Sequence, residues 1–410
     1  MFRSGTVWLL VAGGLGMAQT APETAPPPAT REQLWQSLRE KKAEGVRPPQ
    51  RSGLEKVLYN FREQRVLERF AAGWRGFHSK VGGLHTGSGL GLGTQWRQQR
   101  LAGGRLDMRA TALASIKRYE KAELQIALPR LAKERLFLDF TTTYRNLPQE
   151  DFFGLGPRSR KQDRTSFRLE DTTMMGSLGF RLRRKLAAGV RGGIIEANVG
   201  PGADPAFAST ELMFTPQVAP ALDRQPDYYQ AGAFAQLDYR DEPGNPRAGG
   251  NYLVEWDYFG DRTWSQYSFR RYQAEFQQYL PFFNRRRVFA FRAKTTLTDT
   301  SPGQAVPFYM QQTVGGSEDL RGFREYRFRD KNLMVCNLEY RWEVFSGLDM
   351  ALFGDAGKVF ARRSDFDLDR LEGAYGIGLR FNQEKAVFLR IDIGKSREGM
   401  RFFFKFGHVF

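Results

Sequence analysis

The sequence has very little cysteine and histidine. Its 410 residues include one cysteine, Cys336, and three histidines. This excludes an intrachain disulfide and argues against a zinc site, which takes about four such ligands. No metal and no cofactor are therefore expected. Cys336 falls in a predicted strand, where a lone thiol is interpreted as a small packing side chain.

Long apolar runs are also missing after the first 18 residues. No segment there approaches the roughly 20 apolar residues that a membrane-spanning helix needs. Aromatic residues nevertheless make up 14% of the chain, and it contains 34 Phe and 43 Gly. This composition suits a membrane β-barrel, in which only the outward face of each strand is apolar. A soluble all-β protein has a similar composition and remains open at this point.

Charge of one sign dominates, with a formal net charge of +17. Such a charge is compatible with nucleic-acid binding, but the basic residues are spread along the whole chain and no nucleic-acid-binding motif is present. A basic lumen, or basic rims that meet anionic lipid headgroups, accounts for the charge without nucleic acid. Outer-membrane lipid is therefore the expected partner, and nucleic acid is not.

Catalytic side chains are scarce as well. Hydrolytic catalysis usually needs a histidine placed beside a nucleophile or a carboxylate. His78 and His85 precede the predicted sheet or lie at its start, and His408 falls among aromatic residues near position 410. No partner set is recognisable for any of them, so no catalytic residue is assigned and the chain is not expected to be an enzyme.

The first 81 residues predict a leader followed by helices. Residues 1–18 have the basic start, apolar centre and small-residue cleavage site of a secretory signal peptide. Residues 19–51 combine a proline-rich stretch with a short helix that begins at Thr30. Residues 52–81 predict an amphipathic helix, placed either in the periplasm or in the lumen of a barrel.

From residue 82 to residue 410 the apolar residues recur with a period of two. Phe289 and Phe291, for example, alternate with Ala290 and Arg292. Short and long connections also alternate along the chain, as they do at the two rims of outer-membrane barrels. The pattern predicts an all-β fold, a transmembrane antiparallel β-barrel of about fourteen strands, with 105–128 forming either one strand or two.

The end of the sequence carries a row of phenylalanines. Phe402, Phe404, Phe406 and Phe410 are spaced to share one face of a final strand. Such a strand resembles the C-terminal sorting signal of bacterial outer-membrane barrels, which here consists of Phe404, Phe406 and Phe410. Together with the signal peptide it predicts the bacterial outer membrane as the location.

A loop arginine and two downstream acids form the candidate site. The loop contains Leu320, Arg321, Gly322 and Phe323, and a hairpin centred on Gly347 follows it. That centre places Glu339 directly opposite Asp355, both on the polar face. Two solvated lumen acids are one interpretation. The other is that Arg321 reaches in and bridges both carboxylates, for which a planar guanidinium is suited.

These segments resemble a known family. GGSEDLRGF (315–323), NLEYRW (337–342) and FGDAGKVF (353–360) are similar to sequences of BamA/TamA-type outer-membrane assembly and translocation factors, the bacterial surface antigen family. The resemblance implies sixteen strands, a seam between the first and last strands, and docking of the loop arginine, here Arg321, on wall acids. Family members usually carry POTRA modules before the barrel, and the helical 19–81 segment is similar to a short branch without them.

The resemblance implies a part in outer-membrane protein assembly, insertion or translocation, with client outer-membrane proteins as partners. The alternative is a plugged or gated outer-membrane pore for small solutes, with the loop or the helix of 52–81 as the plug. Both functions place the same loop inside the same barrel.

Overall fold

The computed structural model describes residues 35–41, 76–82, 84–85, 87–383, 386–407 and 410. Residues 35–41 form a helix (α1), inside the segment for which a short helix is predicted. The signal peptide, Thr30 and the greater part of the 52–81 segment lie outside the described residues. In the part of the chain that the structure describes, no helix is long and apolar enough to cross a membrane.

Sixteen strands form one antiparallel sheet in which sequence neighbours pair, and two short strands form a second sheet. The first eight strands are β1 (Phe77–Val81), β2 (Gly91–Arg100), β3 (Leu106–Ser115), β4 (Glu120–Leu131), β5 (Leu136–Phe152), β6 (Thr165–Arg183), β7 (Leu186–Pro201) and β8 (Tyr228–Asp238). The next three are β9 (Gly249–Asp261), β10 (Phe269–Phe282) and β11 (Arg287–Asp299). The small sheet pairs β12 (Gln312–Val314) with β13 (Phe328–Asp330). The large sheet continues with β14 (Asn332–Phe345), β15 (Leu348–Phe360), β16 (Glu372–Gln383), β17 (Ala386–Ser396) and β18 (Gly399–Phe406).

Short helical turns occur only between strands in the described part of the sheet domain. Thr210–Met213 is a four-residue turn of helix, and Lys161–Asp163, Phe308–Met310 and Arg363–Asp365 are 3₁₀ turns. Leu101–Gly104 is a turn with left-handed φ values at Ala102 and Gly103.

The alternation of side chains gives the sheet an apolar outer face and a polar inner face. On β11, Phe289 and Phe291 are 46% and 38% exposed, whereas Ala290 and Arg292 are buried. Exposed apolar side chains on one face and buried charged ones on the other are the arrangement of a transmembrane barrel, which keeps its polar groups in the lumen. The predicted all-β barrel is confirmed.

The connections differ between the two rims. One rim carries tight turns such as 132–135, 184–185, 283–286 and 346–347, and we call it the short-turn rim. The opposite rim carries long loops, of which the longest described one is 300–331. This alternation agrees with the connections that the sequence predicts.

The two edge strands are short and do not pair. β1 has 5 residues and β18 has 8, against 19 for β6. Among the described residues, no backbone ladder joins β1 to β18. The edges are nevertheless adjacent, since a Cβ added to Gly82 would lie 2.6 Å from the Phe406 ring. The sheet is therefore a barrel with an unzipped seam.

The strand count of about fourteen is too low, and the sixteen strands implied by the resemblance are present. Residues 105–128 form two strands, because Arg118 turns the chain with a left-handed φ of 63° without help from glycine or proline. The sheet also begins at Phe77 rather than 82, so the end of the predicted 52–81 helix is a strand. This strand has only one partner and is too short to show a clear alternation.

Candidate functional site

The loop 300–331 folds into the lumen instead of extending from the rim. Val314, Leu320, Phe323 and Phe328 of the loop form a buried apolar cluster with inward side chains of the wall, namely Leu333, Val335, Val359 and Ala374. Phe323 and Phe328 meet edge to face at a centroid distance of 5.3 Å. The loop therefore has its own core, and the barrel wall completes it.

Arg321 lies at the centre of this contact and is fully buried. Its Nε and Nη2 donate to the two oxygens of Asp355 at 2.8 Å and 2.6 Å, and its backbone N–H donates to Asp355 Oδ2 at 3.1 Å. Its Nη1 donates to Glu339 Oε1. The guanidinium also lies 3.6 Å from the centre of the Phe353 ring, within cation–π range.

The two carboxylates outweigh the cost of burying this arginine. Burial disfavours the charged guanidinium, but Asp355 and Glu339 raise the pKa of Arg321 above its ordinary value. The arginine therefore stays charged, and the bidentate geometry fixes its orientation as well as its position.

Glu339 is shared by three arginines. Besides Arg321, it accepts from Arg341 Nε at 2.6 Å and from Arg380 Nη2 at 2.9 Å. Arg380 also donates to Asp392 at 2.6 Å, so charge pairing continues from β14 through β16 to β17. Asp355 has a neutral second partner, Asn337 Nδ2, at 2.8 Å. Asp355 thus depends on Arg321 for its charge partner, whereas Glu339 does not.

The predicted register of this hairpin is wrong by two residues, since Glu339 pairs with residue 353 instead of residue 355. Glu339 lies opposite Phe353, and Asp355 lies opposite Asn337. The turn has two residues, 346–347, instead of three centred on Gly347, and a bulge between Glu343 and Phe345 shifts the ladder by one more residue. The two acids are therefore diagonal neighbours on the inward face rather than directly opposed. The diagonal offset keeps the like charges from facing each other directly, and the Arg321 guanidinium binds both.

Glycines make room for the loop backbone. A Cβ on Gly394 of β17 would lie 1.9 Å from the Arg321 carbonyl oxygen, and one on Gly322 would lie 2.6 Å from Ser396 Cβ. Ser396 Oγ donates to the Gly322 carbonyl at 2.7 Å. Gly315 and Gly316 have φ values of 128° and 92°, which side-chain-bearing residues rarely adopt.

The loop also contacts both sides of the seam. On the first-strand side, Tyr326 OH lies 2.9 Å from Nε2 of His85, a residue of the β1–β2 connection. On the last-strand side, the buried Arg327 donates through Nε to Glu398, between β17 and β18, at 2.8 Å. Arg327 Nη2 donates to the Ser159 carbonyl at 2.7 Å. One loop thus connects two edges that do not pair with each other.

The C-terminal phenylalanines do not all share one face. Phe404 and Phe406 are 67% and 40% exposed on the outer face of β18. Phe410 is instead buried against Tyr279, Val288 and Ala290 on the inner face, where Tyr279 OH donates to its carbonyl oxygen at 2.5 Å.

This corrects the prediction for Phe410, which put it with Phe404 and Phe406. The strand ends at Phe406, and Gly407 has a φ of 96°. The extended spacing that the prediction assumes is therefore lost after Phe406.

Sequence reasoning missed four members of the charge network: Asn337, Arg341, Arg380 and Asp392. A signal for them exists, because each occupies a position of the inward alternation on β14, β16 or β17. The alternation does not predict which of the inward charged side chains form ion pairs with each other. In the described residues, no three His, Cys, Asp or Glu side chains are grouped as metal ligands.

Comparisons with known proteins bear on the fold and the family. A search among curated proteins finds no match. Among solved structures, BamA from Haemophilus ducreyi lacking POTRA domains 1-3 matches with a TM-score of 0.59 and 15% identity, over 80% of this chain and 70% of that chain. CdiB from Escherichia coli matches with a TM-score of 0.54 and 12% identity, over 81% of this chain and 62% of that one.

At such identities these likenesses establish the fold alone. The sequence itself supplies the family, because the model of the Omp85 superfamily domain matches residues 102–410. The chain belongs to the Omp85 superfamily and is a β-barrel of the bacterial outer membrane.

Proposed function

We propose that this barrel takes part in the assembly, insertion or translocation of outer-membrane proteins, and that the loop 300–331 is its moving part. The observation that carries the proposal is the buried bridge from Arg321 to Glu339 and Asp355. A rigid structural loop could be held by apolar contacts alone. A charged group at the same place gives the loop a defined docked state and a high cost for any partly docked one.

The seam supports the same function. Among the described residues, no ladder joins the short edge strands β1 and β18 to each other, and sheet edges of this kind bind extended chains by strand addition. The docked loop holds side chains from both edges through Tyr326 and Arg327. In this proposal, release of the loop frees the edges for a client strand.

The test is insertion of a client by the reconstituted full chain. Liposomes with and without the protein receive a urea-denatured outer-membrane β-barrel, and its folded fraction is followed by heat-modifiable mobility on gels. We expect faster client folding with the unaltered chain and a several-fold loss of this acceleration with Arg321→Ala. Arg362→Ala, on a side chain 82% exposed on the same rim, is the matched control and should retain full acceleration.

Equal client folding in protein-free liposomes and in liposomes with the unaltered chain would contradict the proposal. The heat-modifiable mobility of each variant itself shows whether the barrel is folded, so loss of activity is distinguished from loss of structure.

A gated pore for small solutes is the second candidate. The wall of the first half carries polar inward side chains. Gln125 Nε2 donates to Asp139 at 2.7 Å, and Thr141 Oγ1 donates to the same carboxylate at 2.9 Å. A polar wall is suited to water and solutes. Planar bilayers separate the two functions, because a large steady conductance that clients do not alter supports the pore.

A further inference from the structure

Three consecutive turns of the short-turn rim carry a cluster of basic side chains. They connect β2 to β3, β4 to β5 and β6 to β7. Six exposed residues in or beside these turns define what we call the rim patch: Arg105, Arg130, Lys133, Arg135, Arg183 and Arg184.

The basic residues of the rim patch are not ion-paired. Over the described ranges of the chain, none of its six residues forms an ion pair, whereas basic residues of other connections do. Arg285 lies 3.7 Å from Asp241 on the same rim, and Arg397 lies 2.7 Å from Glu372 on the opposite rim. These two arginines thus have local carboxylate partners, whereas the basic residues of the rim patch remain available to another anion.

Two acidic residues lie near the rim patch without neutralising it. Asp107 accepts a hydrogen bond from the Arg100 backbone N–H at 2.8 Å, and Glu134 is exposed on the β4–β5 turn. Both line one open groove together with Arg130, Arg183 and Arg184. The groove therefore has a net positive lining, and like charges held this close stabilise a bound anion.

The rim patch begins where the lipid-facing surface ends. Leu138 and Leu178 pair across β5 and β6 and are 40% and 48% exposed on the outer face. Leu182, the outward residue next to Arg183, is 57% exposed. Apolar side chains followed directly by basic ones match the order of acyl chains and headgroups in a bilayer.

We propose that the rim patch binds the phosphate headgroups of anionic phospholipids in the leaflet that surrounds the short-turn rim. A phosphodiester offers the paired oxygens that a guanidinium fork recognises, and its acyl chains continue along Leu178 and Leu182. This site is separate from the loop and its acids, and it does not depend on the proposed function.

The experiment titrates the detergent-solubilised full chain with phosphatidylglycerol or phosphatidylcholine and counts bound lipids by native mass spectrometry. The test variant combines Arg130→Gln, Lys133→Gln, Arg183→Gln and Arg184→Gln. The matched control combines Arg158→Gln, Arg160→Gln, Lys161→Gln and Arg362→Gln, four basic residues exposed on the opposite rim.

We expect the unaltered chain and the control to prefer phosphatidylglycerol. The test variant should bind it at least roughly fivefold more weakly, the effect of about one basic residue at a membrane surface. Added salt should reduce the preference of the unaltered chain, which tests the electrostatic origin without any substitution. Inorganic phosphate in excess should displace little lipid, because it lacks acyl chains.

Three results would overturn the proposal: no preference for phosphatidylglycerol in the unaltered chain, equal loss in test and control variants, or complete displacement by inorganic phosphate. The last would make the rim patch a general anion site. Heat-modifiable mobility confirms that each variant is folded before its lipids are counted.

Discussion

At the scale of the residue, Arg321 shows how one side chain can fix a loop of 32 residues, 300–331. Its two hydrogen bonds to Asp355 use the fork of the guanidinium, and a third donor reaches Glu339. Lysine offers a single charged point at the end of a flexible stem and cannot make the paired contact. The residue type is therefore as important as its charge.

Replacing Arg321 by alanine should destabilise the folded barrel by about 3–5 kcal/mol, because Asp355 is left buried without its cation. Arg321→Lys retains the charge but loses the paired hydrogen bonds of the guanidinium. Its stability should therefore lie between those of the unaltered protein and Arg321→Ala. The measurement is unfolding of the refolded barrel in urea. Arg362→Ala should change stability by less than about 0.5 kcal/mol, and a similar loss in both alanine variants would refute the argument.

The two acids should respond differently to neutralisation. Asp355→Asn removes the carboxylate that Arg321 holds with both arms of its fork, whereas Glu339→Gln also disturbs Arg341 and Arg380. Combining Arg321→Ala with Asp355→Asn should cost clearly less than the sum of the single changes, since both remove one interaction. Additive losses in the same urea experiment would show that the pair is not coupled.

The sequence identified Arg321, Glu339 and Asp355 but not their spatial relation. Alternation assigns each acid to the inward face, which depends only on counting by twos. Cross-strand pairing also depends on the turn and on bulges near it. The bulge between Glu343 and Phe345 contains no glycine or proline, so the sequence gives no signal of it.

At the scale of the element, the inner face of β17 packs against the backbone of the loop. Gly394 faces inward directly beneath Arg321, and this contact leaves no room for a methyl group. The glycine has ordinary strand geometry, so alanine suits the strand and conflicts only with the loop. This separates loop docking from sheet formation more cleanly than a change in the loop itself.

Gly394→Ala should loosen the loop while the sheet still forms. We expect faster cleavage within 300–331 by an added protease, together with unchanged heat-modifiable mobility of the barrel. Gly354→Ala in β15 is the control, because a Cβ at that position meets no atom within 4 Å. Equal protease resistance in the two variants would mean that the loop does not depend on this contact.

Sequence patterns predict best the strands that have a long alternation of apolar and polar residues and a neighbouring strand on each side. β11 and β14 are examples. β1 has neither property, and the sequence pattern places its five residues at the end of a predicted helix. The sequence does not mark the boundary between β3 and β4, because the residue with a left-handed φ in their turn is an arginine, Arg118. Any residue can adopt that conformation at some cost, so composition gives no warning of it.

At the scale of the whole molecule, the seam is held by side chains rather than by strand pairing. Arg327 connects the loop to Glu398 on one side of the seam and to Ser159 of the β5–β6 loop. Tyr326 connects it to His85 on the other. Sequence patterns give each strand its two faces, but these contacts join residues far apart in the chain and have no local signature.

Removing Arg327 should therefore loosen the edges first. In Arg327→Ala, backbone amides of β1 and β18 should exchange with deuterium faster, because each strand has a partner on one side only. Amides of β5 and β6 should remain as protected as before. The control is Arg363→Ala, which removes an ion pair to Asp299 on the same rim. Unchanged exchange at both edges would show that Arg327 does not hold the seam.

The docked loop also dictates an order of folding. The two carboxylates that bind Arg321 belong to residues 18 and 34 positions downstream of it. Ser396, which donates a hydrogen bond to Gly322, lies 74 residues downstream of that glycine. Hairpins between sequence neighbours can form one after another, whereas the loop can be seated only after β17 has been added. Until then, Asp355 faces an unfinished lumen without its cation. We therefore expect the buried charges to be assembled only after the sheet that surrounds them has formed.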